Sequence, residues 1–177
     1  MKGDLLEEGR LYSFRTNSIK QFNLQSLILT SEIKDSIEKS VLCWLATVSE
    51  DGIPNVSPKE IFRHHGDEKI IVANIASPQT VRNIAFNPNV CISFIDILVQ
   101  KGFQLKGKAR IIEKGNPIFD SYEKELIEMT EGKFPFASVT EISIQESKAI
   151  IAPKYLLYPE TTEEEQIASA KRMYGID

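Results

Sequence analysis

Two cysteines, two histidines and one tryptophan are few for 177 residues, and each scarcity excludes something. Cys43 in VLCWLATV and Cys91 in VCISFI lie in apolar strand-like runs, so neither a disulfide framework nor a C-x-x-C site is expected. Buried thiols fit a reducing, cytoplasmic setting. His64 and His65 are adjacent, point to opposite faces if in a strand, and so cannot bind one metal together. No metal site is expected. Neither G-x-G-x-x-G after a strand nor G-x-x-x-x-G-K-[ST] is present, which removes both glycine-rich nucleotide fingerprints. No apolar run approaches the ~20 residues of a membrane span, and MKGDLLEEGRLYSF lacks the apolar core of a secretory signal. A soluble protein is expected. With 21 Lys and Arg against 25 Asp and Glu, a net charge of −4 and no basic run, nucleic acid and anionic membranes are poor partners. No nucleophile stands at a motif spacing from a base.

What is present fits one domain over residues 30–177, preceded by an N-terminal arm or extension over residues 1–29, where no period is strong. Thr30 or Ser31 caps a short helix, SEIKDSIEKS, with Ile33 and Ile37 at i, i+4. VLCWLATVS and VSPKEIFRH read as a hairpin turned at Asp51-Gly52. KIIVANIA is apolar on both faces and therefore central. NVCISFIDI and GFQLKGKARIIE follow, with an alternation shift near Gly107 that predicts a bulge. Asn116 and Pro117 mark a helix start with Ile118, Tyr122, Leu126 and Met129 on one stripe. SVTEISIQESKAIIAP is a sixth strand. Thr162 with Glu165 forms a capping box for a last helix whose stripe is Ile167, Ala170 and Tyr174. Six strands joined mostly as hairpins, with helices at the rim, predict an α+β protein built on an antiparallel barrel.

One stretch carries more chemistry than a connector needs. SPQTVRNIAFNP, residues 77–88, reads as a helix capped by Ser77 and stopped at Asn87-Pro88, with Val81, Ile84 and Ala85 toward the sheet. Gln79, Thr80 and Asn83 are left near the first turn, where unpaired N–H groups and the positive dipole end suit a phosphate. A solvated cap explains the same residues. Trp44, Phe62 and Phe94 read as barrel core, the acidic run 163–165 as a helix start, and Lys106 and Lys108 as a solvated strand face.

The ordered series WLATVSEDGIPNVSPKEIF, KIIVANIASPQTVRNIAFNPNVCISFID and GFQLKGKARII resembles the pyridoxamine 5′-phosphate oxidase-like family, the FMN-binding split barrels. The resemblance implies a six-stranded antiparallel split β-barrel with peripheral helices that forms a homodimer, with FMN in the clefts between protomers. Carried over position by position, it places the isoalloxazine along Ser57, Pro58 and Lys59 and the end of the third strand, Ala73 and Asn74. The phosphate falls to Ser77, Gln79, Thr80, Arg82 and Asn83. The chain departs from the oxidases proper, which carry an Arg-Lys pair where Gln79 and Thr80 stand. Arg82 and Lys59 are the residues able to replace that charge. It also has no arginine between Arg110 and Arg172, where the oxidases carry a substrate-gripping C-terminal motif.

The function these features imply is an FMN-binding oxidoreductase that uses a reduced nicotinamide donor, NADH or NADPH, on a small molecule, and is not a pyridoxine-phosphate oxidase. The alternatives are a non-catalytic flavin-binding or redox-sensing protein, or a split barrel that binds haem or a deazaflavin.

Overall fold

In the computed structural model, which describes residues 29–176, Thr30 Oγ1 accepts from Ile33 N at 3.3 Å and opens α1 (Ser31–Lys39). Ile33 and Ile37 are buried, as their spacing requires. Of the arm expected over residues 1–29, only Leu29 falls within the described residues, and it is buried. β1 (Cys43–Val48) and β2 (Pro54–Lys59) pair across a loop in which Gly52 has φ +76°, a conformation that favours glycine. β3 (Phe62–His65), β4 (Lys69–Ala73), α2 (Pro78–Phe86), β5 (Asn89–Asp96) and β6 (Lys101–Glu113) follow. The chain ends with α3 (Phe119–Thr130), β7 (Ser138–Ile151), α4 (Pro153–Leu157) and α5 (Glu163–Tyr174).

All pairings are antiparallel and the sheet order is β2-β1-β5-β6-β7-β4-β3. The two edge strands, β2 and β3, are consecutive in the chain and joined only by Glu60 and Ile61. The sheet therefore curls until its edges meet at that step, which makes an α+β split barrel. The count is seven strands rather than six because VSPKEIFRH, read as one strand, crosses from one edge to the other at Glu60-Ile61. Neither residue is a glycine or proline, so the sequence gives no break signal there.

Strand alternation divides the core. Ile70 and Val72 of β4 face the barrel interior with Leu45, Phe62, Ile92 and Phe94. Ile71 and Ala73 face the other way, under Phe119, Tyr122 and Leu126 of α3. β4 is thus apolar on both sides, as its sequence implies, because α3 covers its outer face, but it lies beside the edge strand β3 rather than at the centre of the sheet. The predicted bulge lies at Lys106/Gly107, where the register skips Gln145 of β7. A Cβ at Gly107 would stand 2.1 Å from the Ser143 carbonyl oxygen, so a larger residue is excluded by backbone contact.

Four local expectations are corrected. The third helix begins at Phe119, because Asn116 Oδ1 accepts from Ile118 N and forms a turn before the helix; Met129 is exposed. The α5 capping box is present, but Gln166 and Ala170 are its buried residues while Tyr174 is exposed. Trp44 points outward and is 46% exposed, since alternation in β1 gives Cys43 and Leu45 to the core. Cys43 is buried, whereas Cys91 is only half-buried. Among the described residues, no helix is long and apolar enough to cross a membrane.

Candidate functional site: the cleft at the start of the second helix

β2 alternates Asn55, Ser57 and Lys59 on its inner face with the exposed Pro54, Val56 and Pro58. β4 ends at Ala73 beside it, and the chain turns through Ile75 and Ala76 into α2. Between them lies a cleft of about 350 Å³ bordered by Ser57, Lys59, Ala73 and Ser77. Ile75 and Phe134 form an apolar rim; both are substantially exposed. Pro58 and Glu60 complete the β2 side.

Two polar groups of this cleft lack partners among the described residues. Ser77 holds the N-cap position of α2, yet its hydroxyl makes no capping bond, and Pro78 follows at the first helical position. The first-turn amides of such a helix have no intrahelical acceptor. Lys59 is 95% buried (5% exposed), and its Nζ has no hydrogen-bond partner. Burial pulls its amine below the usual lysine range, with Cys43 across β1 opposing weakly. Burial also pushes the Cys43 thiol well up, so that thiol is neutral and offers no counter-charge.

The other polar side chains of α2 are engaged with the fold or with one another. Thr80 is fully buried and its Oγ1 donates to Ser57 Oγ at 3.0 Å. Asn83 Nδ2 donates to Thr47 Oγ1 at 3.0 Å, and Asn55 Nδ2 reaches the same oxygen at 3.3 Å. Gln79 Nε2 donates to Asn83 Oδ1 at 2.7 Å, and Arg82 Nη2 to Gln79 Oε1 at 2.7 Å. The helix is therefore turned differently from the predicted stripe: Thr80, Asn83 and Ile84 face inward, and Ala85 is exposed. A hydrogen-bonded polar seam, rather than an apolar one, joins α2 to the β1–β2 hairpin.

Of the residues assigned by resemblance, the structure brings Ser57, Pro58, Lys59, Ala73 and Ser77 to one cleft. Asn74 turns away. Its Nδ2 donates to Ser138 Oγ at 3.2 Å and its Oδ1 accepts from Thr140 Oγ1 at 2.9 Å, which ties the end of β4 to β7. Gln79, Thr80, Arg82 and Asn83 lie along the seam behind the cleft. Sequence reasoning missed Thr47, the buried acceptor of that seam, and Phe134 at the rim. Thr47 sits in a plain strand and Phe134 in a loop that only the fold brings near residue 75, so neither has a local signal.

The remaining candidates resolve into structural roles. His64 faces Glu38 of α1 at 3.3 Å and His65 faces Glu125 of α3 at 2.9 Å, on opposite sides of β3. Lys106 pairs with Glu146, and Lys108 with Asn89. Among the described residues, no three His, Cys, Asp or Glu side chains are placed to hold a metal ion.

The sequence model of the pyridoxamine 5′-phosphate oxidase family matches residues 29–158, and the chain belongs to that family. It is 30% identical over 89 residues to an uncharacterized protein of Methanocaldococcus jannaschii, a match covering 49% of this chain and 58% of that protein's length. Among solved structures it is similar to HupZ of Group A Streptococcus, with 27% identity and a TM-score of 0.60 over 70% of this chain and 94% of that one. It shares the fold of an FMN-binding protein from Syntrophomonas wolfei, with 18% identity and a TM-score of 0.60 over 68% of this chain and 85% of that one.

Proposed function

We propose that the cleft holds FMN and that the protein is a flavin-dependent oxidoreductase. The observation that carries the reading is the pairing of an unpartnered, buried Lys59 with an uncapped helix start at Ser77, in one cleft with an apolar rim. These residues fit a ligand with a flat apolar ring and a terminal phosphate. Ser77 and the first-turn amides of α2 would hold phosphate oxygens, Lys59 would supply positive charge, and Ile75 and Phe134 would exclude water from the ring. Bound FMN supplies the hydride and electron chemistry, which asks little of acid or base side chains. The lack of an acid–base constellation in this cleft is therefore compatible with an enzyme.

Haem is disfavoured at this site by the chain's own residues. Both histidines are on β3 and turned to Glu38 and Glu125, so neither is placed as an axial ligand in the cleft. Pyridoxine 5′-phosphate is disfavoured as substrate by Gln79-Thr80 and by the absence of arginine from 111 to 171.

We infer a homodimer from the face that carries Val41, Trp44, Ile97 and Ile176, which are 85%, 46%, 52% and 47% exposed. A groove of about 450 Å³ runs across this face, and exposed apolar surface of that kind marks an interface. We further propose a reduced nicotinamide as the electron donor and a small molecule as the acceptor.

The test is purification with added FMN, followed by an absorption spectrum and anaerobic addition of NADH or NADPH. Bound flavin that bleaches supports the oxidoreductase. Bound flavin that neither donor reduces favours a redox-sensing or purely flavin-binding role, and a protein that retains no FMN overturns the reading.

A further inference from the structure

Two charged residues are buried among those described, and the fold treats them oppositely. Glu141 accepts from Arg110 Nε at 2.6 Å, from Lys69 Nζ at 3.1 Å and from the Tyr122 hydroxyl. Lys59 Nζ has no hydrogen-bond partner among the described residues. Its surroundings do not supply one. Cys43 of β1 is a neutral thiol, and the first turn of α2 contains no acidic residue. Glu60 lies at the cleft but is exposed, and Lys133 on the α3–β7 connection pairs with Glu131. An unpaired ammonium in that position costs several kcal/mol, so the empty protein disfavours the charged amine.

We propose that Lys59 is the counter-ion of a phosphate monoester in this cleft and holds its proton more firmly when that ligand is present, so that binding draws protons from solution at alkaline pH. The inference rests on the reading of the cleft as a flavin phosphate site. The ligand class follows from the companions of Lys59: the hydroxyls of Ser57 and Ser77 and the free amides of α2 can serve several oxygens of one anion, while the lysine contributes a point charge. The proton linkage follows from electrostatics. Burial lowers the proton affinity of the empty site, and an adjacent anion raises it again. Between those two values each binding event takes up a proton, and affinity falls as pH rises through the lower one. This differs from an arginine clamp, which is charged in both states and leaves no such signature.

Calorimetric titrations in two buffers of different ionisation enthalpy, at a series of pH values from neutral up to the usual lysine range, test the idea. The probes are FMN, riboflavin and inorganic phosphate, on wild type, Lys59→Met and Lys59→Gln. Wild type takes up protons with FMN or phosphate, increasingly as pH rises toward the lysine range, and none with riboflavin; both variants take up none. FMN binds Lys59→Met at least ~tenfold more weakly, while the unligated variant melts no lower than wild type because an apolar side chain replaces an unpaired amine. Lys59→Gln gives the same comparison should the methionine variant fail to fold. FMN binding without a Lys59-dependent proton overturns the counter-ion and leaves the flavin reading standing. Proton-linked phosphate binding by a protein that ignores FMN keeps the counter-ion and removes the flavin. Equal proton uptake with riboflavin overturns the phosphate assignment, and binding of none of the three probes overturns both readings.

Discussion

Thr80 Oγ1 donates to Ser57 Oγ at 3.0 Å, and that bond locks the first turn of α2 onto β2 at the edge of the cleft. Because Thr80 is fully buried, the position behaves as core rather than as a solvated helix start. Thr80→Glu puts a carboxylate where no water reaches it. The unligated protein then loses several kcal/mol in urea unfolding, whereas a solvated first turn would gain ~0.3–1 kcal/mol from the helix dipole. Thr80→Val loses about 1 kcal/mol, since the half-buried Ser57 can turn to water. An unchanged midpoint for Thr80→Glu would show that α2 is oriented otherwise.

Ser77 offers the complementary test because it borders the cleft and its hydroxyl caps nothing. Aspartate is as good an N-cap as serine, so Ser77→Asp keeps or raises the thermal midpoint of the unligated protein. The same carboxylate repels a phosphate. FMN affinity falls at least ~tenfold, about 1.4 kcal/mol, in a fluorescence titration; retained affinity moves the phosphate away from the helix start.

Glu141 predicts the acid limit of stability. Burial alone would raise its pKa, but the hydrogen bonds from Arg110, Tyr122 and Lys69 outweigh that and lower it from 4.5 to about 2. A carboxyl whose folded pKa is depressed stabilises the fold fully above its unfolded value. The contribution is lost as pH falls from about 4.5 through about 2. Glu141→Gln therefore unfolds at lower urea than wild type at pH 7, by roughly 1 to 3 kcal/mol, because charge-assisted hydrogen bonds to the buried carboxylate are weakened while the partly exposed Arg110 and Lys69 remain solvated. The gap narrows steadily below about pH 4. A gap that is the same at pH 7 and pH 3 contradicts the assignment.

The exposed face around Trp44 predicts the state of assembly. Wild type runs as a dimer in size exclusion with light scattering, and a charge placed on that face by Trp44→Glu or Ile97→Asp yields a folded monomer with unchanged far-ultraviolet dichroism. A wild-type monomer removes the dimer.

Much of this molecule was legible in one dimension because it rests on local rules. The cap at Thr30, the capping box at Thr162, the turn at Asp51-Gly52 and the two-faced KIIVA strand each depend on neighbours within a few residues. The ordered strand and turn pattern made the split barrel and its family readable as well. The misread elements depend on distant partners. Alternation says which residues of β1 share a face but not which face is core, so the apolar Trp44 reads as inside although the structure turns it outward. Helical spacing offered Val81, Ile84 and Ala85 as the buried stripe because apolar residues are the default inner face. The structure buries Thr80 and Asn83 instead, since Ser57 and Thr47 stand opposite them with matching hydroxyls.

The sequence by itself determined most of the strands and helices in their order, though not the break at Glu60-Ile61, together with the family and the concentration of polar residues between β4 and β5. Tertiary structure alone decided how those polar residues divide. Curling the sheet until β2 meets the end of β4 gives Thr80 and Asn83 hydrogen-bond partners and leaves Lys59 and Ser77 without any. A side chain's partner is set by which strands become neighbours in space, and spacing along the chain carries no record of that.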